Sequence, residues 1–249
     1  MSPSIEAPAA EPRRLGSYTT AKVTAGRVER LEQHVARLRR DAVRLHLPAP
    51  PARDVERCFL EAARQAFGRG DGIVRVEWSH EPGRSPALLA KPRAFDPRPD
   101  RWRAATSSAI HPGPADRANT KFVDVPAWDR GREEVASSAY DEVLLFDADG
   151  FLVEGSHSNL LAMTEAGALV TPDLSLGGVE GLGLAVVRHG RRDLREAHLD
   201  REAVTSVREL MCVNAVRGVV PVVELDGRPV GDGEPGPVSR RLGAVFGRR

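Results

Sequence analysis

Residues Lys121–Leu161 read KFVDVPAWDRGREEVASSAYDEVLLFDADGFLVEGSHSNLL. Pro126 stands where a first helical turn tolerates proline, and the following residues to Ala139 suit a helix. Asp141–Asp147 (DEVLLFD) is an apolar run of strand length, and Ala148-Asp149-Gly150 supplies a hairpin turn. Phe151–Glu154 and Asn159–Met163 follow as two more strands. Lys121 therefore sits just ahead of a helix, and Glu154 lies on a rigid strand. A primary amine condenses with an aldehyde, and a fixed carboxylate holds a proton on a heterocyclic nitrogen.

The lysine is conspicuous because the chain hardly uses lysine. Of 36 lysines and arginines, only Lys22, Lys91 and Lys121 are lysine. Arginine serves wherever a solvated positive charge suffices, so a retained lysine is a candidate for chemistry that needs a deprotonated amine. Lys22 and Lys91 read as surface residues, whereas Lys121 has the acidic strand downstream.

Outward from this stretch the pattern mixes strands and helices. Ser17–Val23 (SYTTAKV) predicts a strand. Leu31, Val35, Leu38, Ala42 and Leu45 form one apolar helical stripe that Pro48, Pro50 and Pro51 stop. A second helix is expected over Arg53–Phe67, then strands at Ile73–Trp78, Ala87–Ala90 and Arg103–Ser107. After the 121–161 stretch come a strand at Ala168–Thr171, helices at Gly181–His189 and Arg192–Glu196, strands at Glu209–Asn214 and Val219–Leu225, and a helix at Val238–Phe246. There is no strict βαβα alternation and no internal repeat, so the expected class is α/β (α+β) with two domains. The expected division is a disordered lead-in over 1–14, rich in Pro and Ala, and a small N-terminal α/β domain over 15–108. A Pro-containing connector over 109–120 then leads to a C-terminal domain over 121–249.

Composition narrows the function. At 249 residues, 41% hydrophobic and 29% charged, the chain is ordinary for a globular protein. A net charge of +1 with interspersed signs argues against a nucleic-acid surface. Cys58 and Cys212 form no metal or redox spacing. No signal-like core stands at the N-terminus, and no run approaches the ~20 apolar residues of a membrane span. A cytoplasmic protein is expected. Two motifs read as decoys. Gly231-Asp-Gly233-Glu-Pro-Gly236 spells a dinucleotide fingerprint, but prolines interrupt it and no acid follows at the required distance. Asp147-Ala-Asp149-Gly150 lacks the remaining ligands of a calcium loop.

Taken together, the residues resemble the class IV, fold-type IV pyridoxal-phosphate enzymes. These include branched-chain aminotransferases, D-amino-acid transaminases and 4-amino-4-deoxychorismate lyases. Thr19-Thr-Ala-Lys-Val23 followed by His34-Val-Ala-Arg37-Leu38 resembles the family's phosphate-arginine segment. Lys121 and Glu154 fall at the separation of its Schiff-base lysine and its ring-nitrogen carboxylate. Asn214-Ala-Val-Arg217-Gly218 is similar to its late active-site turn, and Gly231–Ser239 to its C-terminal signature. The resemblance implies a small α/β domain, a larger C-terminal pseudo-barrel, and pyridoxal 5'-phosphate as cofactor. It implies a homodimer acting on a small amino-carboxylate. Cofactor contacts are then expected from Lys121, Glu154, Arg37, Leu182, Gly183, Asn214 and Ala215, with Lys121 also catalytic. Substrate contacts are expected from Arg217 and from position 157, His157 in this chain. The family's Gly-Ile-Thr phosphate loop becomes Gly181-Leu-Gly183, which keeps a helix start but loses the hydroxyl.

Two reactions follow from that resemblance. A lyase expels pyruvate from aminodeoxychorismate and leaves 4-aminobenzoate for folate synthesis; a transaminase turns a D- or branched-chain amino acid into its keto acid. The Asn-x-x-Arg-Gly turn favours the lyase, and Glu154-Gly-Ser-His-Ser-Asn159 also resembles D-amino-acid transaminases. A reading of another class is a degenerate, non-catalytic family member.

Overall fold

The computed structural model describes residues 14–96, 100–114 and 118–246. The expected lead-in lies, but for Arg14, outside the described residues. The chain opens on strand β1 (Leu15–Thr24), short β2 (Arg27–Val28), helices α1 (Leu31–Arg44) and α2 (Ala52–Phe67), and strands β3 (Gly72–His80) and β4 (Ala87–Arg93). These strands form an antiparallel sheet ordered β2-β1-β3-β4. The apolar stripe of α1 works as the spacing predicts: Leu38 packs with Val55, Phe59 and Ala63 of α2 against Ala21, Val74 and Val76 of the sheet.

The remaining strands form one larger mixed sheet. They are β5 (Trp102–Ile110), β6 (Glu142–Phe146), β7 (Leu152–Gly155), β8 (Asn159–Met163), β9 (Leu169–Pro172), β10 (Arg195–Ala197), β11 (Glu209–Asn214), β12 (Gly218–Leu225) and β13 (Arg228–Pro229). Their order is β10-β9-β8-β11-β12-β5-β6-β7, with β13 on β12. Register shifts in the β12–β5, β5–β6 and β6–β7 pairs bend it. Helices α3 (Pro126–Ala136), α4 (Leu182–Gly190), α5 (Arg201–Thr205) and α6 (Pro237–Val245) complete the chain.

Three expectations change. The Arg103–Ser107 strand, placed at the end of the N-terminal unit, is longer and runs parallel to β12 and β6 in the larger sheet. Its buried Trp102 and Ala104 join Leu144, Leu160 and Leu210 in that sheet's core, which draws the strand there. Arg192–Glu196 is not helical: Arg195–Ala197 pairs in parallel with Val170–Pro172, and sheet pairing overrides the helix-forming composition. The helix from Pro126 stops at Ala136, where the Ser137 hydroxyl bonds back to the Glu133 carbonyl.

The two sheets meet along a third apolar cluster. Tyr18 of β1 and Ala42 and Leu45 of α1 pack with Phe122, Trp128, Leu145 and Val179. The Tyr18 backbone N–H donates to the Lys121 carbonyl at 2.9 Å. Lys121 is thereby fastened to β1 before α3 begins.

Candidate active site

A cleft of about 550 Å³ opens beside this seam. It is lined by Arg37, Lys121, Glu154, His157, Leu182, Asn214, Ala215 and Arg217, so nearly every residue singled out from sequence is brought together. Gly183 is the exception, since it packs behind the lining. An added Cβ there would come within 2.6 Å of the Asn214 backbone, so α4 rests directly on the Asn214 turn.

Lys121 enters from the seam, with its amine 5.3 Å from the Tyr18 ring centroid and 5.2 Å from that of Trp128. Its backbone N–H donates to Asp41 Oδ2 at 3.1 Å. Burial alone would raise the Tyr18 hydroxyl, but the charges of Lys121, Arg75 and Arg132 outweigh it and lower the pKa. The Arg75 guanidinium lies 3.5 Å over the Tyr18 ring.

Glu154 is buried at the end of β7 and receives three donors. Trp128 Nε1 donates to Oε1 at 2.9 Å, and the Val179 N–H donates to Oε2 at 2.9 Å. His111 Nε2 lies 3.3 Å from Oε1. The Gly113 N–H donates to His111 Nδ1, so that nitrogen accepts and Nε2 carries the proton toward Glu154. A carboxylate so gripped keeps one orientation toward the cleft.

Arg37 sits one helical turn before Asp41 on α1, and both are buried. Nε of Arg37 contacts Asp41 Oδ2 at 3.4 Å, while its Nη2 is buried without a hydrogen-bond partner. Burial pulls the guanidinium below its ordinary pKa, and Asp41 works against that. An orphaned donor on a buried cation is costly unless an anion meets it. Also at the cleft, α4 begins at Gly181 with no side chain capping its first N–H groups. A buried arginine and an uncapped helix N-terminus together suit a phosphate. The residues present therefore fit the phosphate of a pyridoxal cofactor.

His34, beside Arg37, is a different case. Its Nδ1 lies 2.6 Å from Thr19 Oγ1, and burial, then the charges of Arg37 and Arg30, push its pKa down to about 3. It is a neutral, structural histidine.

The turn after β11 is shaped by Asn214, whose Oδ1 accepts the Val216 and Arg217 N–H groups at 3.0 and 2.8 Å. Arg217 lies over Phe95 at 4.6 Å and donates to the Asp96 carbonyl. The sequence did not single out Asp41, Trp128 or His111, which contact Lys121, Arg37 and Glu154. Asp41, four residues after Arg37, carried a usable helical spacing; His111 lies in an aperiodic Pro-rich stretch that carried none.

Both decoy motifs have structural explanations. At the start of α6 the Glu209 carboxylate accepts the Val238 and Ser239 N–H groups at 2.9 and 2.8 Å, filling the place a dinucleotide phosphate would need. Asp147 Oδ1 accepts the Asp149 and Phe151 N–H groups, which closes the β6–β7 hairpin.

The family model for class IV amino-transferases matches residues 16–225. A branched-chain-amino-acid aminotransferase from Pseudomonas aeruginosa is 32% identical over 119 residues, 46% of this chain and 38% of that protein. The matched stretch thus spans well under half of that curated relative. In fold, the chain is similar to a candidate 4-amino-4-deoxychorismate lyase from Legionella pneumophila. That match has a TM-score of 0.82 and 17% identity, and covers 99% of this chain and 96% of that one. A hypothetical aminotransferase from Mycobacterium tuberculosis in its PLP-bound form has a TM-score of 0.80 at 19% identity, over 99% and 94% of the two chains. This chain belongs to the class IV aminotransferase family, whose cofactor is pyridoxal phosphate. Among the described residues no helix is long and apolar enough to cross a membrane.

Proposed function

We propose that the chain is a lyase that splits 4-amino-4-deoxychorismate into 4-aminobenzoate and pyruvate, serving folate synthesis in the cytoplasm. The observation that carries this reading is the charge of the cleft. Seven lysine or arginine side chains line it, against two carboxylates, Asp96 and Glu154. An aliphatic amino acid needs an apolar wall for its side chain, whereas a substrate with two carboxylates needs separate cationic contacts beyond the phosphate anchor. Arg217 after β11 and Arg75 on β3, the latter also paired with Glu77 at 2.7 Å, come from different sheets and suit that task.

In this reading Arg37 and the backbone N–H groups of Leu182 and Gly183 hold the cofactor phosphate, beside Asn214 and Ala215. Lys121 holds its aldehyde end, and Glu154 its ring nitrogen. Bound there, the cofactor supplies a ring that accepts the electron pair left behind when the substrate loses its α-proton. Lys121 takes that proton, with the Tyr18 and Trp128 rings fixing where its amine stands. Glu154 keeps a proton at the ring nitrogen, oriented by Trp128, Val179 and His111. Arg217 and His157 meet the substrate. The chain acts as a homodimer, which sedimentation of the purified protein checks.

The test mixes protein loaded with pyridoxal phosphate and enzymatically generated aminodeoxychorismate. Formation of both 4-aminobenzoate and pyruvate, abolished in Lys121→Ala, is the expected result. Protein that holds the cofactor yet releases neither product would move the assignment to the second reading, transamination of a branched-chain or D-amino acid. Similarity to the Pseudomonas aeruginosa enzyme favours that alternative. The orphaned Arg37 donor beside Lys121 and Glu154 supports a cofactor-using enzyme over a non-catalytic relative.

A further inference from the structure

Glu142 is fully buried on β6, yet it is not an idle core carboxylate. It accepts the N–H groups of Val143 and Ser156, each at 3.0 Å, and the hydroxyls of Ser156 and Ser158 at 2.6 and 2.5 Å. Its Oε1 also lies 3.3 Å from His157 Nδ1, and among the described residues His157 is the only basic side chain within ion-pair distance. Burial would raise this carboxyl, but the His157 charge and the hydrogen bonds from His157, Ser156 and Ser158 hold it at about 2.

The arrangement also sets the histidine tautomer. Ser156 Oγ directs its own proton to Glu142, so at 2.9 Å from His157 Nδ1 it can only accept. Nδ1 therefore carries a proton. Nε2 is the nitrogen left for the cleft, which His157 lines three residues beyond Glu154. The buried Trp102 ring packs against the imidazole at 5.8 Å and limits its rotation. An imidazole backed by a buried carboxylate, with its second nitrogen toward a substrate cleft, is the arrangement of a general acid–base group.

We propose that His157 is a second proton-transferring residue of the cleft, delivering a proton from Nε2 to the substrate oxygen that leaves, and that Glu142 positions it. The proposal rests on the lyase reading. Lys121 removes the hydrogen on the amine-bearing ring carbon, and the electron pair of that C–H bond becomes the new ring double bond. The bond from the neighbouring ring carbon to the enol-ether oxygen breaks, and its pair stays on oxygen. In this step His157 acts as the imidazolium, protonated on both nitrogens, and its Nε2 proton moves to that oxygen, giving enolpyruvate, which becomes pyruvate, and aromatic 4-aminobenzoate. His157 and Lys121 then return to their starting protonation by exchange with solvent. The buried Glu142 carboxylate stands behind Nδ1 throughout and does not itself take the proton.

The test compares wild-type and His157→Gln holoenzyme with aminodeoxychorismate in deuterated water. Pyruvate release is measured together with deuterium uptake at the amine-bearing carbon of recovered substrate. Titration of each cofactor-free protein with pyridoxal phosphate serves as the control for binding. The expected result is unchanged cofactor affinity, a fall in pyruvate release of roughly 10²-fold or more, and deuterium uptake that persists, because only the leaving-group proton is missing. His157→Gly should recover part of the lost release when imidazole is added. Equal pyruvate release in wild type and His157→Gln would overturn the proposal and leave the lyase reading intact. Parallel loss of release and uptake would also overturn it, assigning His157 to binding. Wild-type holoenzyme that releases no pyruvate at all would remove the lyase reading and the proposal with it.

Discussion

Asp41 accepts the backbone N–H of Lys121 at 3.1 Å through Oδ2, the same oxygen that faces Arg37 Nε. One buried carboxylate on α1 thus ties the lysine of the cleft to the arginine that anchors the phosphate in our reading. Asp41→Ala leaves the Arg37 charge buried without its partner on α1. Breaking a buried ion pair from one side costs about 3–5 kcal/mol. Denaturant unfolding of the cofactor-free protein should show a loss of that order, with Asp41→Asn intermediate because it retains an acceptor for the Lys121 N–H.

The grip on Glu154 leads to a second expectation. Trp128→Phe removes one of three donors while keeping an aromatic side chain, and leaves Oε1 with His111 alone. A lost bond to a charged acceptor is worth about 1.5–3 kcal/mol. Unfolding free energy should fall by that amount, and pyridoxal phosphate should bind more weakly by fluorescence titration. A variant with unchanged affinity would mean that Trp128 serves the core and not the orientation of Glu154.

Much of this was legible in the sequence because it is local. The α1 stripe and the β6–β7 hairpin are carried by short-range spacing, and the order Arg37, Lys121, Glu154, Asn214 by the resemblance to the family. What stayed hidden depends on contacts distant along the chain. Arg195–Ala197 becomes a strand only because Val170–Pro172 offers an edge. His111 matters only because a Pro-rich connector folds back onto Glu154. Glu142 looks like the polar start of a strand until the turn after β7 brings Ser156, His157 and Ser158 over it.

Acid stability should divide into two windows. His34 is held at about 3 in the folded protein, below its ordinary 6.5, because it is buried beside Arg37. The unfolded chain takes up that proton first, so stability present above pH ~6.5 is lost as pH falls from there toward 3, on the order of 5 kcal/mol in total. Glu142 is held at about 2, below its ordinary 4.5. Its contribution, on the order of 3 kcal/mol, is intact above pH ~4.5 and disappears between there and 2. Of these two contributions, only that of His34 changes between pH 6.5 and 4.5. Unfolding measured across this range should lose part of its pH slope in His34→Gln, and Glu142→Gln should remove the carboxylate's own contribution below pH ~4.5. An unchanged slope in His34→Gln would show that this histidine is not the group resisting protonation.

Gly183 makes the sharpest prediction, because sequence and structure point in opposite directions. By resemblance to the family's Gly-Ile-Thr loop, Gly183→Thr would restore a hydroxyl for the phosphate. In this chain the Asn214 backbone occupies the space. A Cβ at 183 would lie 2.6 Å from the Asn214 carbonyl carbon and 2.8 Å from its Cα, both backbone atoms that cannot swing aside. Either α4 lifts from the turn or the turn opens, and both disturb the cleft at Leu182 and Asn214. Overpacking of this kind costs about 1–3 kcal/mol. Gly183→Thr should therefore lower thermal stability and weaken pyridoxal phosphate binding, with Gly183→Ala nearly as damaging because the clash begins at Cβ. Tighter cofactor binding in Gly183→Thr would instead show that α4 and the Asn214 turn can separate, and that the hydroxyl outweighs the packing it displaces.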